Sequence, residues 1–196
     1  MGKIKEKQQY KRQMLLETAF HLFTSKGINE TTIQDIAREA GVAKGTFYLY
    51  FKDKYDLIEK LRARKAAKLF EDAVRFSRNQ EYANFTEQFL IIVDYIIDEL
   101  TENRDLLKFI YKNLSMGGIN IRLEGEEETY SPVSIFEMFE QRALEDQLIL
   151  ENPKAIFFMI IELVGSTCYT SILLNVPLPI EEYKPHLYAA IKKLLC

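Results

Sequence analysis

The 196 residues include only two cysteines, two histidines and five prolines, and each scarcity excludes something. Cys168 and Cys196 are too few for a disulfide framework and fit a reducing compartment. His21 and His186 lie far apart, and neither stands near a Cys or carboxylate at metal-ligand spacing, so no metal site is expected. His21 is expected to pack or cap on the first helix. A glycine-rich phosphate loop and a nucleophile elbow are both missing, so the chain reads as no enzyme and no cofactor is expected. The prolines (132, 153, 177, 179 and 185) all fall in the C-terminal third, where helix boundaries are expected. No run alternates apolar and polar residues long enough for a strand. The start, MGKIKEKQQYKRQM, has no apolar leader segment and carries Glu6 where lipidation needs Ser or Thr, so a cytoplasmic protein is expected.

What is present is a helical, core-forming chain, 47% hydrophobic, with charge unevenly divided. Net charge is −3, yet residues 1–62 carry twelve Lys and Arg against eight Asp and Glu, and the remainder carries the acidic excess. A basic head on an acidic body suits a head that meets a polyanion. The periodicity predicts an all-α fold of about nine helices. The first runs from about Lys5 to Lys26, with Gly27 as a left-handed stop. The second opens at Thr31, with Gln34 closing a capping box, and stops at Gly41. The third covers about 43–51. Asp53 with Asp56 opens the fourth, to about Arg78, and Asn84 with Glu87 opens the fifth. The sixth covers about 104–115. Ser131-Pro132 and Asn152-Pro153 begin the seventh and eighth as cap-plus-proline pairs, and the ninth ends the chain. The segment GGINIRLEGEEETYS is read as a loop. The expected domains are 1–57 and 58–196.

The stretch GVAKGTFYLYFKDKYDL interleaves aromatics with Lys44, Lys52 and Lys54. Ala37, Gly41 and Phe47 supply what a steep crossing of two short helices needs: a small contact residue, a turn glycine and an apolar plug. Phe47 and Phe51, four apart, point inward. Gly45 lets backbone approach DNA closely. Tyr48 and Tyr50 offer hydroxyls for phosphate oxygens, and Lys54 sits in the first turn of the fourth helix, where a free dipole end favours an anion. Lys3, Lys5, Lys7, Lys11 and Arg12 add charge neutralisation.

Residues 9–57, through TTIQDIAREAGVAKGTFYLYFKDKYDLI, resemble the DNA-binding head of the TetR family of bacterial transcriptional regulators. The family pattern has a Thr/Ser pair, an Ile-Ala step, Gly-Val at the turn, and Gly-Thr-aromatic-Tyr-x-Tyr/His-Phe followed by Lys. One departure is Ala43, where Ser is common. The resemblance implies that Thr31 or Thr32, Tyr48, Tyr50 and Lys54 contact phosphates of double-stranded DNA, and that Lys44, Gly45 and Thr46 lie nearest base edges. It also implies a helical body that binds a small-molecule effector and forms a homodimer through the last two helices.

The body carries no motif of that specificity. Helix eight, PKAIFFMIIELVGSTCYTSILLN, is apolar all round and is expected to be buried on every side. Glu162 near its middle argues against a membrane span and requires a partner, either a cation or an effector. The expected effector pocket is Phe89, Val93, Phe109, Phe139, Phe158, Glu162 and Tyr169. The expected dimer interface is Leu163, Thr167, Leu174, Leu187, Ile191 and Leu194. The leading reading is a repressor released from a palindromic operator by a small hydrophobic effector. The alternative is a DNA-bound adaptor whose body binds a protein, with the acidic segment Glu124 to Glu128 as its contact.

Overall fold

The computed structural model describes residues 2–114 and 132–196. The expected loop between Gly117 and Ser131, its acidic segment and the Ser131 cap lie outside the described residues. The described chain is helical: α1 Gly2–Ser25, α2 Ile33–Glu39, α3 Lys44–Tyr48, α4 Lys54–Ser77, α5 Phe85–Glu102, α6 Arg104–Leu114, α7 Pro132–Glu145, α8 Pro153–Leu174 and α9 Ile180–Leu194. It divides into two compact units, Met1–Arg62 and Ala63–Cys196, so that the division falls within α4.

In the first unit α1 closes as its sequence requires. The Lys26 N–H still donates to the Leu22 carbonyl at 2.9 Å, and Gly27 turns left-handed at φ +92°. The turn between α2 and α3 is a Schellman closure. Val42 N–H donates to Ala37 O at 2.9 Å, Gly41 N–H donates to Arg38 O at 3.2 Å, and Gly41 takes φ +67°. Both glycines are therefore backbone requirements. The core is Leu15, Leu22, Ile36, Phe47, Phe51 and Leu57, each at most 2% exposed.

The cap of α2 lies one residue later than the sequence suggests. Thr32 accepts from Asp35 N–H at 3.1 Å, and the Asp35 carboxylate accepts in return from Thr32 N–H at 3.2 Å. The box is thus Thr32–Asp35 and not Thr31–Gln34. Thr31 is fully buried, its hydroxyl donating to Gly27 O at 2.8 Å. The α3 helix is also shorter than expected. It has no side-chain cap, because Ala43 occupies the N-cap position. His21 is exposed rather than packed.

In the second unit α8 packs against α5, α6, α7 and α9. Phe157, Ile160, Cys168 and Ile172 form its inner face. Burial on every side is not what this chain provides: Phe158, Met159 and Leu174 are exposed at 45%, 44% and 60%. By length and composition α8 could also cross a membrane, although its inner face is protein core. The caps of α5 and α8 are as read, with Asn84 accepting from Glu87 N–H and Asn152 from Ala155 N–H, each at 3.0 Å. Pro185 departs from expectation by lying inside α9. Its missing N–H falls within the second turn, close to the end where helical donors are already unpaired.

A polar clamp joins α5 to α9. Lys184 Nζ lies 2.9 Å from Asp94 and also donates to Asp98, and the Tyr188 hydroxyl donates to Asp94. Burial would raise the Asp94 pKa, but the hydrogen bonds from Tyr188 and Lys184 outweigh it and hold the carboxyl below its ordinary value.

Candidate nucleic-acid interface and effector cavity

The short α3 divides its aromatics by face. Phe47 and Phe51 are buried with ring centroids 5.4 Å apart. The Arg12 guanidinium and the Lys60 ammonium lie 6.0 and 5.7 Å from the Phe51 centroid, a cation–π pairing that ties α1 and α4 to this plug. On the outward side Lys44, Gly45 and Tyr48 are exposed, while Thr46 and Tyr50 are half-buried. Tyr48 sets its ring edge-on to Phe47 with centroids 5.5 Å apart, which orients the phenol while leaving it 52% exposed. A Cβ built on Gly45 would meet nothing within 4 Å, and its φ is ordinary. The fold does not need a glycine there.

Two of the expected phosphate contacts make bonds within the head. Lys54 Nζ donates to Ile28 O at 2.8 Å and to Thr31 O at 3.0 Å. Two of its three hydrogens therefore hold the turn before α2 against the start of α4, and such charge-assisted bonds are among the stronger ones. Thr31 is buried beneath that turn and Thr32 is exposed. Of the threonine pair, Thr32 is the one at the surface. Lys52, Leu49 and Tyr55 are exposed beside α3 and were not singled out in the sequence. Leu49, at 78%, gave no signal because helical spacing alone does not mark an apolar residue as external.

The second unit contains a cavity of about 360 Å³ whose walls come from α4, α5, α7 and α8. This falls within the range of small-molecule sites, roughly 300–1,000 Å³. Phe85, Phe89 and Phe157 pack around Phe139 at centroid distances of 5.4, 5.5 and 5.0 Å. Part of its polar wall is a short chain that reaches the buried Ser77: Gln88 Nε2 donates to Ser77 Oγ at 3.3 Å, Arg142 Nη2 donates to Gln88 Oε1 at 3.1 Å, and Arg142 Nη1 pairs with Glu145 at 2.7 Å. A smaller apolar void of about 30 Å³ shares the Phe70, Phe89 and Ile92 walls and ends at Cys168. Burial pushes the Cys168 thiol up to about 12, which leaves it protonated and unreactive.

Residues 15–61 match the family described as bacterial regulatory proteins, tetR family. The chain is 28% identical over 193 residues to the uncharacterized HTH-type transcriptional regulator YvdT of Bacillus subtilis (strain 168), covering 94% of this chain and 95% of that one. The head of this chain, over residues 15–61, is that of the TetR family. The likeness is to transcriptional regulators of the helix-turn-helix type. The HTH-type transcriptional regulator AcrR of Shigella flexneri is 41% identical over 59 residues, 30% of this chain and 27% of AcrR. Among solved structures, a putative TetR-family regulator of Syntrophomonas wolfei aligns with a TM-score of 0.67 at 21% identity, covering 95% of each chain. FadR of Bacillus subtilis in complex with stearoyl-CoA aligns with a TM-score of 0.65 at 18% identity, covering 93% of this chain and 97% of that one.

Within this fold the expected pocket residues separate. Phe89 and Phe139 line the larger cavity and Val93 lines the smaller. Phe109 is buried but borders neither. Phe158 faces out, and its neighbour Phe157 takes the wall position instead. Tyr169 stacks on Tyr111 with centroids 3.9 Å apart. Glu162 is half-buried and borders neither cavity. The sequence reading does not include Arg78, Tyr82, Gln88 and Arg142 of the larger cavity, since a polar residue on a helix or in a connection reads as solvated until its neighbours are known. Of the expected dimer residues, Leu187 and Ile191 are 1% and 0% exposed within one chain, and so are core rather than interface. Leu163, Thr167 and Leu194 are half-buried and Leu174 is exposed. Among the described residues no cluster of His, Cys, Asp and Glu is placed to hold a metal.

Proposed function

We propose that this regulator is a cytoplasmic homodimeric repressor, released from a roughly palindromic operator when a small, hydrophobic effector enters the cavity of the second unit. The reading of DNA rests above all on Gly45. Nothing inside the chain requires a glycine there, and its bare backbone is open to close approach from outside. Lys44, Gly45 and Thr46 face the base edges, and Thr32, Tyr48 and Tyr50 bond phosphates, with Lys54 holding the turn beneath them. The exposed side of α8, with Phe158, Met159 and Leu174 and the half-buried Leu163, forms the dimer surface. The aromatic cavity supports an apolar effector, and the fold shared with a FadR that holds stearoyl-CoA is consistent with a lipophilic one. The effector acts by favouring a state of the dimer whose two heads no longer match half-sites about 34–36 Å apart.

Selection of binding sites from random duplex DNA by the purified protein, at two salt concentrations, tests this. The expected result is an enriched palindrome whose binding weakens steeply with salt. The reading fails if no site is enriched after unfolding, removal of any carried ligand and refolding to the dimer.

A further inference from the structure

We infer that the effector is a compact hydrophobic carboxylate, its apolar body among the cavity phenylalanines and its charge at a rim formed by Arg78 and Tyr82. This inference rests on the effector reading above and names the ligand class. It starts from which polar groups around the cavity are already engaged. Gln88 has its amide nitrogen on Ser77 and its oxygen on Arg142, and Arg142 also holds Glu145. Each of those groups therefore already has a partner, and the Arg142 charge is already paired. Arg78 and Tyr82 also line the cavity, and among the described residues neither side chain has a partner. They lie four residues apart in the connection between α4 and α5, Arg78 exposed and Tyr82 half-buried.

The cavity thus offers a guanidinium and a phenol, both able to donate, at one solvent-facing edge. Charge counting agrees. Among the described residues the charged groups at the wall are Arg78, Arg142 and Glu145, and Arg142 with Glu145 cancel, so one positive charge remains. A monoanion balances it. The planar fork of arginine accepts a carboxylate in two-point contact, which a neutral amide or alcohol cannot match in strength. Inward from that rim the walls are Phe85, Phe89, Phe139 and Phe157. A ligand charged at both ends or polar throughout would leave groups unpaired against those rings. The one orientation that satisfies both ends places the acid outward and the hydrocarbon inward.

Calorimetric titration of the full chain with octanoate, decanoate and 4-phenylbutyrate, each against its primary amide, tests the assignment. At least one acid is expected to bind tenfold or more tightly than its amide, and Arg78→Gln is expected to reduce that preference to under threefold. Arg78 is exposed and unpaired, so its replacement leaves the fold intact; Arg78→Lys, which keeps the charge and loses the fork, should retain an intermediate preference. Acids and amides that bind equally would overturn the carboxylate assignment while leaving an apolar effector cavity in place. If neither acids nor amides bind, the effector reading itself falls.

Discussion

The head and the body both bury phenylalanines at helix crossings, but they use them differently. In the head, Phe47 and Phe51 are plugs: each is at most 1% exposed, and their rings fill the space that α1, α3 and α4 enclose. In the body, Phe85, Phe89, Phe139 and Phe157 are walls, packed edge to edge around a space that they leave open. Polar groups follow the same division. The head directs Thr31 and Lys54 to its own carbonyls and leaves Lys44, Thr46 and Tyr48 toward the surface. The body turns Gln88 and Arg142 toward the cavity, with Ser77 buried behind Gln88. A surface partner is recognised by what the fold leaves unused on its outside. An internal ligand is recognised by what the fold leaves unused within.

The largest expected effect separates plug from wall. Phe47→Ala removes a ring from a filled site and should cost about 3–5 kcal/mol of stability, enough to unfold the head and abolish DNA binding. Phe139→Ala enlarges a space that already exists and should cost roughly 1–2 kcal/mol less, with DNA binding retained. Urea unfolding of both variants, followed by circular dichroism, measures the difference. Equal costs would remove the distinction between the two regions.

A smaller effect concerns the α5–α9 clamp and its dependence on pH. The Asp94 carboxyl is held below its ordinary value when folded. Its contribution is therefore fully present above the unfolded pKa, about 3.9, and disappears as pH falls through the lower folded value. Asp94 is half-exposed, so solvent screens the pair. Asp94→Asn should cost on the order of 1 kcal/mol at neutral pH. Thermal unfolding of the two proteins between pH 7 and pH 2 should show the gap closing only in acid. A gap independent of pH would mean that the clamp acts by packing alone, without its charge.

Legibility in the sequence followed the range over which each signal acts. Caps and turns are set within four residues, and the Gly27 stop and the Asn84, Asn152 and Asp53 caps could be read directly. The one-residue error at Thr31 arose because both threonines can cap. What decides between them is the burial of Thr31 against the Gly27 and Leu22 carbonyls, a contact outside α2. The anchoring role of Lys54 is illegible for the same reason, since its acceptors Ile28 and Thr31 lie more than twenty residues earlier. The cavity was the least legible part. Phe157 and Phe158 are identical in type and adjacent, and an all-round apolar helix has no periodicity to say which of them turns inward. Leu187 and Ile191 were assigned to a partner because an apolar stripe does not state whether its cover comes from the same chain.

The smallest expected change in stability carries the sharpest test of the head. Gly45 lies in α3 with ordinary φ and open space where a side chain would start. Helix propensity alone predicts that Gly45→Ala leaves the protein unchanged or more stable by up to about 1 kcal/mol. If the glycine serves a close approach by DNA, the added methyl stands between α3 and the groove, and affinity for the selected operator should fall by about tenfold or more. Stability and affinity would then move in opposite directions for a single methyl group. Melting temperature and a fluorescence-anisotropy titration of the same preparation measure both. Unchanged affinity would mean that the α3 backbone stands off from the bases at this position, and the reading of sequence would shift to the side chains of Lys44, Thr46 and Tyr48.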